Sequence, residues 1–198
     1  TQGVSSAASD VYKRQSIMST LETNLIQPST GTTLTVGASG DTVTAPTGVT
    51  VAGAMANTPA FRATLSNATS MSNGATVKLE FGTEVYDTDS AYDTSNYRFT
   101  VPSGEAGKYF FKAQYSLTLS DQQYSSIRFY KNGSNVEFTQ NLTSTSSSVS
   151  LVVYMANCTV MNLSAGDYVE IYGRQDSGGT LTANTSRSEF LGYKIIGA

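Results

Sequence analysis

The chain predicts an all-β fold, a sandwich or jelly roll of short strands, on three observations. The stretch "GKYFFKAQYSLTLS" at residues 107–120 alternates with a period of two. Its odd positions are Tyr109, Phe111, Ala113, Tyr115, Leu117 and Leu119, and its even positions from Lys112 onward are polar. That is the pattern of a strand with one dry and one wet face. The composition agrees. Charged residues are only 14%, and twelve Tyr and eight Phe accompany abundant Ser and Thr, residues that suit a pleated sheet. Turn dipeptides also punctuate the chain at short intervals with no convincing helix between them, which is the habit of sandwiches and jelly rolls.

The bulk numbers exclude several functions. Net charge is −3 with no run of Lys or Arg, so the basic footprint of nucleic-acid binding is missing. No apolar run reaches membrane-spanning length, so neither nucleic acid nor membrane insertion is expected. The chain has no His and a single Cys, Cys158. Ser–His–Asp and Cys–His machinery and a cysteine-rich zinc site are therefore absent from it. Cys158 lies in the apolar run "MANCTVMNL" without cationic neighbours in sequence, and is expected to be a buried, inert thiol.

Taken in order, residues 1–17 read as a leader apart from the fold. "VSSAASDVYKRQ" resembles translated adapter read-through of the kind found in metagenome-assembled proteins, the alternative being a disordered native tail, and Lys13 and Arg14 precede no apolar segment of a secretory signal. Residues 18–57 read as a stalk or linker. Their short alternating pieces are broken by Gly37, Gly40, Pro46, Gly48 and Gly53, so each is too short to stand alone; winding with other copies and a flexible linker both remain open. Residues 58–198 form the head. Strands are expected at 59–66, 75–86, 96–101, 107–120, 124–131, 135–142, 147–156, 158–163, 167–174 and 187–196. The turns between them include Asn73-Gly74, Ser103-Gly104, Asn132-Gly133, Gly166-Asp167 and Gly178-Gly179.

Within the head, Phe81, Asp87, Tyr92 and Phe99 follow one another at fixed spacing, and Gly107, Tyr109 and Phe111 close the series as Gly-x-Tyr-x-Phe. Further on come "RFYKNGSNV" (128–136), "VMNLSAGDYVEIY" (160–172) and "SEFLGYKII" (188–196). In this order the motifs resemble the globular head of the complement C1q and tumour-necrosis-factor superfamily over roughly residues 59–198. The chain departs from the family pattern in a turn two residues longer before Gly107, and in Ala113 where the pattern has an aromatic. The extra turn length costs little.

The resemblance implies a ten-stranded jelly-roll sandwich that assembles as a homotrimer. It implies that Phe81, Asp87, Tyr92, Phe99, Gly107, Tyr109 and Phe111 are structural. It also implies that one face of residues 107–120 meets the threefold axis. That face is expected to carry Phe110, Lys112 and Gln114, joined by Phe190 and Gly192 from the closing strand. Residues 18–53 are similar to the opening of tail-fibre and other structural proteins of environmental phages. Together the two resemblances lead to the expectation of a virion component, a tail fibre or receptor-binding tip, that contacts a host-surface glycan or protein receptor and joins other virion proteins through its stalk. A secreted or surface-displayed cellular adhesion protein of the same fold is the alternative, and a polysaccharide-degrading tail enzyme a minor one.

Candidate chemistry is sparse. Asp87, Asp89 and Asp93 in "EVYDTDSAYD" form a loop that could attract calcium, although Asp87 also falls on a structural position of the signature. Asp87, Asp89, Glu105, Asp167 and Asp176 contain no pair at a telling spacing for glycoside cleavage. Asp167 reads as a turn residue, and no catalytic residue is assigned. Tyr124, Arg174, Gln175, Asp176 and Arg187 are expected in polar loops on the scaffold, where ligand contacts concentrate.

Overall fold

Alternation, turns and one aromatic cluster account for the architecture. The computed structural model describes residues 42, 44, 47, 57–120, 122–136, 141–144 (backbone pairing only) and 149–196. The leader and nearly all of the stalk lie outside the described residues. The chain divides after Val49, and every strand described falls in the second unit, Thr50–Ala198. Among the described residues there are strands and turns but no helix.

The first sheet contains β1 (Ala60–Thr64), β2 (Thr69–Met71), β4 (Thr83–Asp87), β7 (Gly107–Leu119), β11 (Leu151–Leu163) and β13 (Leu181–Lys194). Its strand order is β11-β7-β13-β1-β4, with β2 beside the start of β13. The second contains β3 (Thr76–Lys78), β5 (Tyr92–Asp93), β6 (Arg98–Thr100), β8 (Tyr124–Lys131), β9 (Ser134–Asn135), β10 (Asn141–Ser144) and β12 (Tyr168–Asp176). Its order is β10-β8-β12-β6-β5, with β3 also on β12 and β9 on β8. All pairings are antiparallel, and the two sheets make the expected jelly roll. Thirteen strands replace the expected ten: β2 and β5 are added, the expected 75–86 divides into β3 and β4 in different sheets, the region of 135–142 gives β9 and β10, and 147–156 and 158–163 fuse into the unbroken β11.

The turns do what their residues permit. Asn132 and Gly133 take φ of 51° and 76°, the left-handed pair of a type I′ hairpin, whose twist suits two antiparallel strands. Asn73-Gly74 is different. It joins β2 in one sheet to β3 in the other, so it is a corner, and the Asn73 Oδ1 accepts the amides of Ser177 and Gly178 at 2.9 Å to tie a second turn to it. Asp167 is the turn residue its setting suggests. Lys131 and Asn132 Nδ2 reach its carboxylate at 2.7 Å and the Ser164 amide at 2.8 Å. Those bonds, from Lys131 foremost, lower its pKa to about 2.

The core is aromatic. Phe61 on β1 stacks on Tyr92 and Phe99 at 4.8 and 5.0 Å, and Phe190 of β13 meets it edge-on at 4.8 Å. Tyr109 and Phe111 join from β7 through Phe99. Phe81, Phe99, Tyr109, Phe111 and Phe190 are completely buried, so the signature positions form the interior. The buried phenols keep a partner: Tyr92 donates to the Phe81 carbonyl at 2.8 Å and Tyr109 to the Glu105 carbonyl at 2.6 Å. Asp87 accepts the Tyr92 amide at 2.7 Å. Gly107 adopts φ of 154°, which favours glycine, and a Cβ there would come 3.1 Å from the Lys194 side chain.

Gly192 lies under the Phe111 ring. A Cβ at Gly192 would sit 2.4 Å from the Phe111 Cδ1 and 3.0 Å from the Phe110 carbonyl oxygen. Gly192→Ala is therefore expected to destabilise the head by about 1–3 kcal/mol through overpacking, measured by denaturant unfolding. Asp167 has a folded pKa below its unfolded one. Its contribution is thus fully present above the ordinary carboxylate range and lost as pH falls through about 2. Asp167→Asn should lower the melting temperature at neutral pH and flatten its decline between about pH 4 and pH 2.

Candidate functional site

The outer face of the first sheet is where the chain leaves apolar surface uncovered. On β7 the core side is odd-numbered, so Phe110, Lys112 and Gln114 point outward. The registers bring Val160 of β11, Tyr193 of β13 and Ala60 of β1 into the row of Phe110. The Phe110 and Tyr193 rings lie 5.3 Å apart. The next row holds Cys158, Lys112, Leu191, Arg62 and Tyr86 of β4. Val152 and Tyr154 extend the face along β11. Val160 is 55% exposed, Tyr86 46% and Tyr193 37%. Phe110, Lys112, Ala156, Asn157 and Cys158 line an open depression in the middle.

One charge cluster sits within this surface. Glu189 bridges Lys112 at 2.5 Å and Arg62 at 3.1 Å. The hydrogen bond from Lys112, helped by Arg62, holds the Glu189 carboxyl below its usual range against the opposing effect of desolvation. Gln114 donates to the Arg187 carbonyl at 2.8 Å. These polar contacts run within the face and leave its apolar rows available.

The structure brings Phe110, Lys112 and Gln114 together as expected but redirects the two residues of the closing strand. Phe190 is fully buried among Phe61, Phe81, Tyr92 and Phe111 of its own chain, and Gly192 faces the same core under Phe111. Both are core residues; their neighbours Leu191 and Tyr193 occupy the outer face. Cys158 is exposed rather than buried, because β11 runs unbroken from Leu151 and its even positions point outward. Val152, Tyr154, Val160 and Tyr193 had gone unrecognised. Splitting β11 in two concealed its phase, since apolar residues fall on both of its faces.

The five expected loop ligands do not form one site. Tyr124, Arg174 and Asp176 lie on strands of the second sheet, with Tyr124 opposite Asp176 and Arg174 over the Tyr124 ring at 5.9 Å. Gln175 is fully buried and donates at 2.8 Å to the carbonyls of Met71 and Gly179. It is structural and unavailable to a ligand. Arg187 is on β13 of the first sheet, bonded through its guanidinium to the Tyr154 hydroxyl. Asp87, Asp89 and Asp93 do not converge. Asp93 accepts the amides of Ser95 and Asn96 at 2.8 and 2.9 Å, Asp87 serves Tyr92 and Asp89, and among the described residues no three acidic or thiol groups gather as a metal cluster. Of the carboxylates weighed for glycoside cleavage, Glu105 pairs with Lys194 and Asp167 with Lys131.

Residues 60–195 match the family model of the C1q domain. Among solved structures, the globular domain of zebrafish complement 1qA is 21% identical, covering 69% of this chain and 96% of that one at a TM-score of 0.47. Murine APRIL at pH 8.0 is 12% identical over 69% of this chain and 98% of that one, with a TM-score of 0.51. Eiger TNF from S. frugiperda is 15% identical over 70% and 92%, at 0.48. At such identities the likeness is one of fold. No curated protein matches the chain.

Proposed function

The chain belongs to the C1q domain family, and from that premise we propose that its head is a homotrimeric binding module whose subunits meet through the outer face of the first sheet. The uncovered rows of Phe110, Val160, Tyr193 and Leu191 carry this reading. Contiguous apolar surface rimmed by polar groups marks an interaction site. Fully covering one Phe is worth about 1.5–3 kcal/mol, and a threefold repeats every such contact. The salt-linked Lys112, Glu189 and Arg62 suit that setting, since a charge covered by a partner needs its counter-ion already in place.

A trimer presents three equivalent weak sites in one direction and gains from avidity. We assign this use to attachment, in a virion component such as a tail fibre that contacts a host-surface glycan or protein receptor. Its supports are the head itself and the resemblance of residues 18–53 to phage fibre proteins, with that segment as the route to other virion proteins. The function is binding rather than catalysis. The carboxylates Asp87, Glu105 and Asp167 are each engaged in structural bonds.

Light scattering of the chain should give a mass near three times 21.0 kDa. Phe110→Asp should shift it to monomer or aggregate. In the same samples the Cys158 thiol, beside Lys112 on the covered face, should resist maleimide labelling in the wild type and react in the variant. A trimer that persists in Phe110→Asp would overturn the interface.

A further inference from the structure

The outer face of the second sheet is built differently from that of the first. Along β12 the outward residues are Tyr168, Glu170, Tyr172, Arg174 and Asp176, since Val169, Ile171 and Gln175 fill the core. On β8 they are Tyr124, Arg128 and Tyr130, and β6 adds Arg98 beside Glu170. Tyr130 and Tyr172 lie 4.1 Å apart.

Two arginines of this face lie over tyrosine rings, as Arg187 of the first sheet lies over Tyr154 at 5.1 Å. Elsewhere in the head Arg62, Lys112, Lys131 and Lys194 each pair with a carboxylate, and Lys78 pairs with Glu170 on this face. Arg98, Arg128 and Arg174 make no ion pair among the described residues. Arg98 instead lies over the Tyr168 ring at 4.5 Å and Arg174 over Tyr124 at 5.9 Å. A guanidinium stacked on a ring keeps its in-plane N–H edge free for a planar, bidentate acceptor. Arg174 spends only its Nε, on the Gly74 carbonyl at 2.9 Å. Of the carboxylates nearby, Glu170 is taken by Lys78, Asp93 bonds Ser95 and Asn96 and also feels the Arg98 charge, and Asp176 lies two residues beyond Arg174 on the same side of β12.

We propose that this tyrosine–arginine face binds an acidic polysaccharide, one bearing carboxylate or sulfate groups along its chain. Arg98, Arg128 and Arg174 take the anionic groups, and the tyrosine rings take the sugar faces. Charge complementarity selects the class: three unpaired arginines are collected on one face of a chain whose net charge is −3. The spacing favours a polymer over a single sugar. The rows of Arg98 and Arg174 are four residues apart on β12, about 13 Å at the rise of a strand, so successive anionic groups can be met in turn. Nucleic acid is the competing polyanion, and the test below separates the two. The inference names the ligand of the attachment module proposed above, but it does not need the trimer.

The test is binding of the full chain to immobilised polyuronate and to dextran sulfate, with neutral dextran and single-stranded DNA as comparisons. Expected are salt-sensitive binding to at least one of the two acidic polysaccharides, none to dextran, and weaker binding to DNA. Which acidic polymer binds tells carboxylate from sulfate. Arg128→Ala and Arg174→Ala should each weaken binding about tenfold, Arg128→Ala at unchanged melting temperature and Arg174→Ala with a small fall from the lost Gly74 bond, and Arg128→Lys should not restore binding. Failure of both acidic polymers, equal binding of dextran, tighter binding of DNA, or indifference to both substitutions would overturn the proposal. Light scattering of the same samples reports the trimer separately, and Phe110→Asp should lose avidity while keeping the response to Arg128→Ala.

Discussion

The ring of Phe61 is the constraint on which the head depends. It lies between Tyr92 and Phe99 of the second sheet at 4.8 and 5.0 Å and takes the edge of Phe190 from its own. Rings in such arrangements add about 0.5–1.5 kcal/mol to what their area alone provides. One side chain therefore joins β1, β5, β6 and β13 across the sandwich. Once Phe61 and Phe190 are inside, the pleat leaves no choice for their neighbours. Arg62, Glu189 and Leu191 must face outward, and so must Phe110 beside the buried Tyr109 and Phe111.

That parity explains both what could be read from the residues and what could not. β7 was legible almost to the residue, because its polar and apolar positions alternate cleanly over thirteen residues. β13 was not. A register shift between Asn184 and Glu189 interrupts its period, with Arg187 at φ 60°. A bulge of that kind adds residues to one strand and changes which side follows. The family resemblance gives Phe190 and Gly192 the outer face, whereas β13 after its bulge turns both inward. On β11 both faces carry apolar side chains, Met155, Met161 and Leu163 inside and Val152, Tyr154 and Val160 outside. A strand apolar on both sides carries no contrast from which to take its phase. The orientation of Cys158 was invisible for that reason.

Short strands were lost for another. β2 and β5 have three and two residues, too few for a period to show. They exist because long partners template them: β2 pairs with β13, and β5 with β6. The candidate ligand residues failed similarly. Tyr124 and Arg174 stand at the ends of expected strands and Asp176 just beyond one, yet all three are strand positions of alternating direction. This places Gln175 in the core between two outward neighbours.

The two outer faces follow from one sandwich but have unlike chemistry. The face over β7, β11 and β13 is apolar at its centre, where Glu189 neutralises Lys112 and Arg62 in place, the condition under which those charges can be covered at little electrostatic cost, while Arg187 lies over the Tyr154 ring at 5.1 Å. The face over β8 and β12 keeps arginines stacked on tyrosines rather than paired with carboxylates, the condition under which a surface stays ready for an anion. The inner faces of the two sheets are already joined through Phe61. A head of this design can therefore turn its neutralised face to its own copies and still present the cationic one outward. The separation follows from strand alternation, which among the described residues turns the outward side chains of the two sheets to opposite sides.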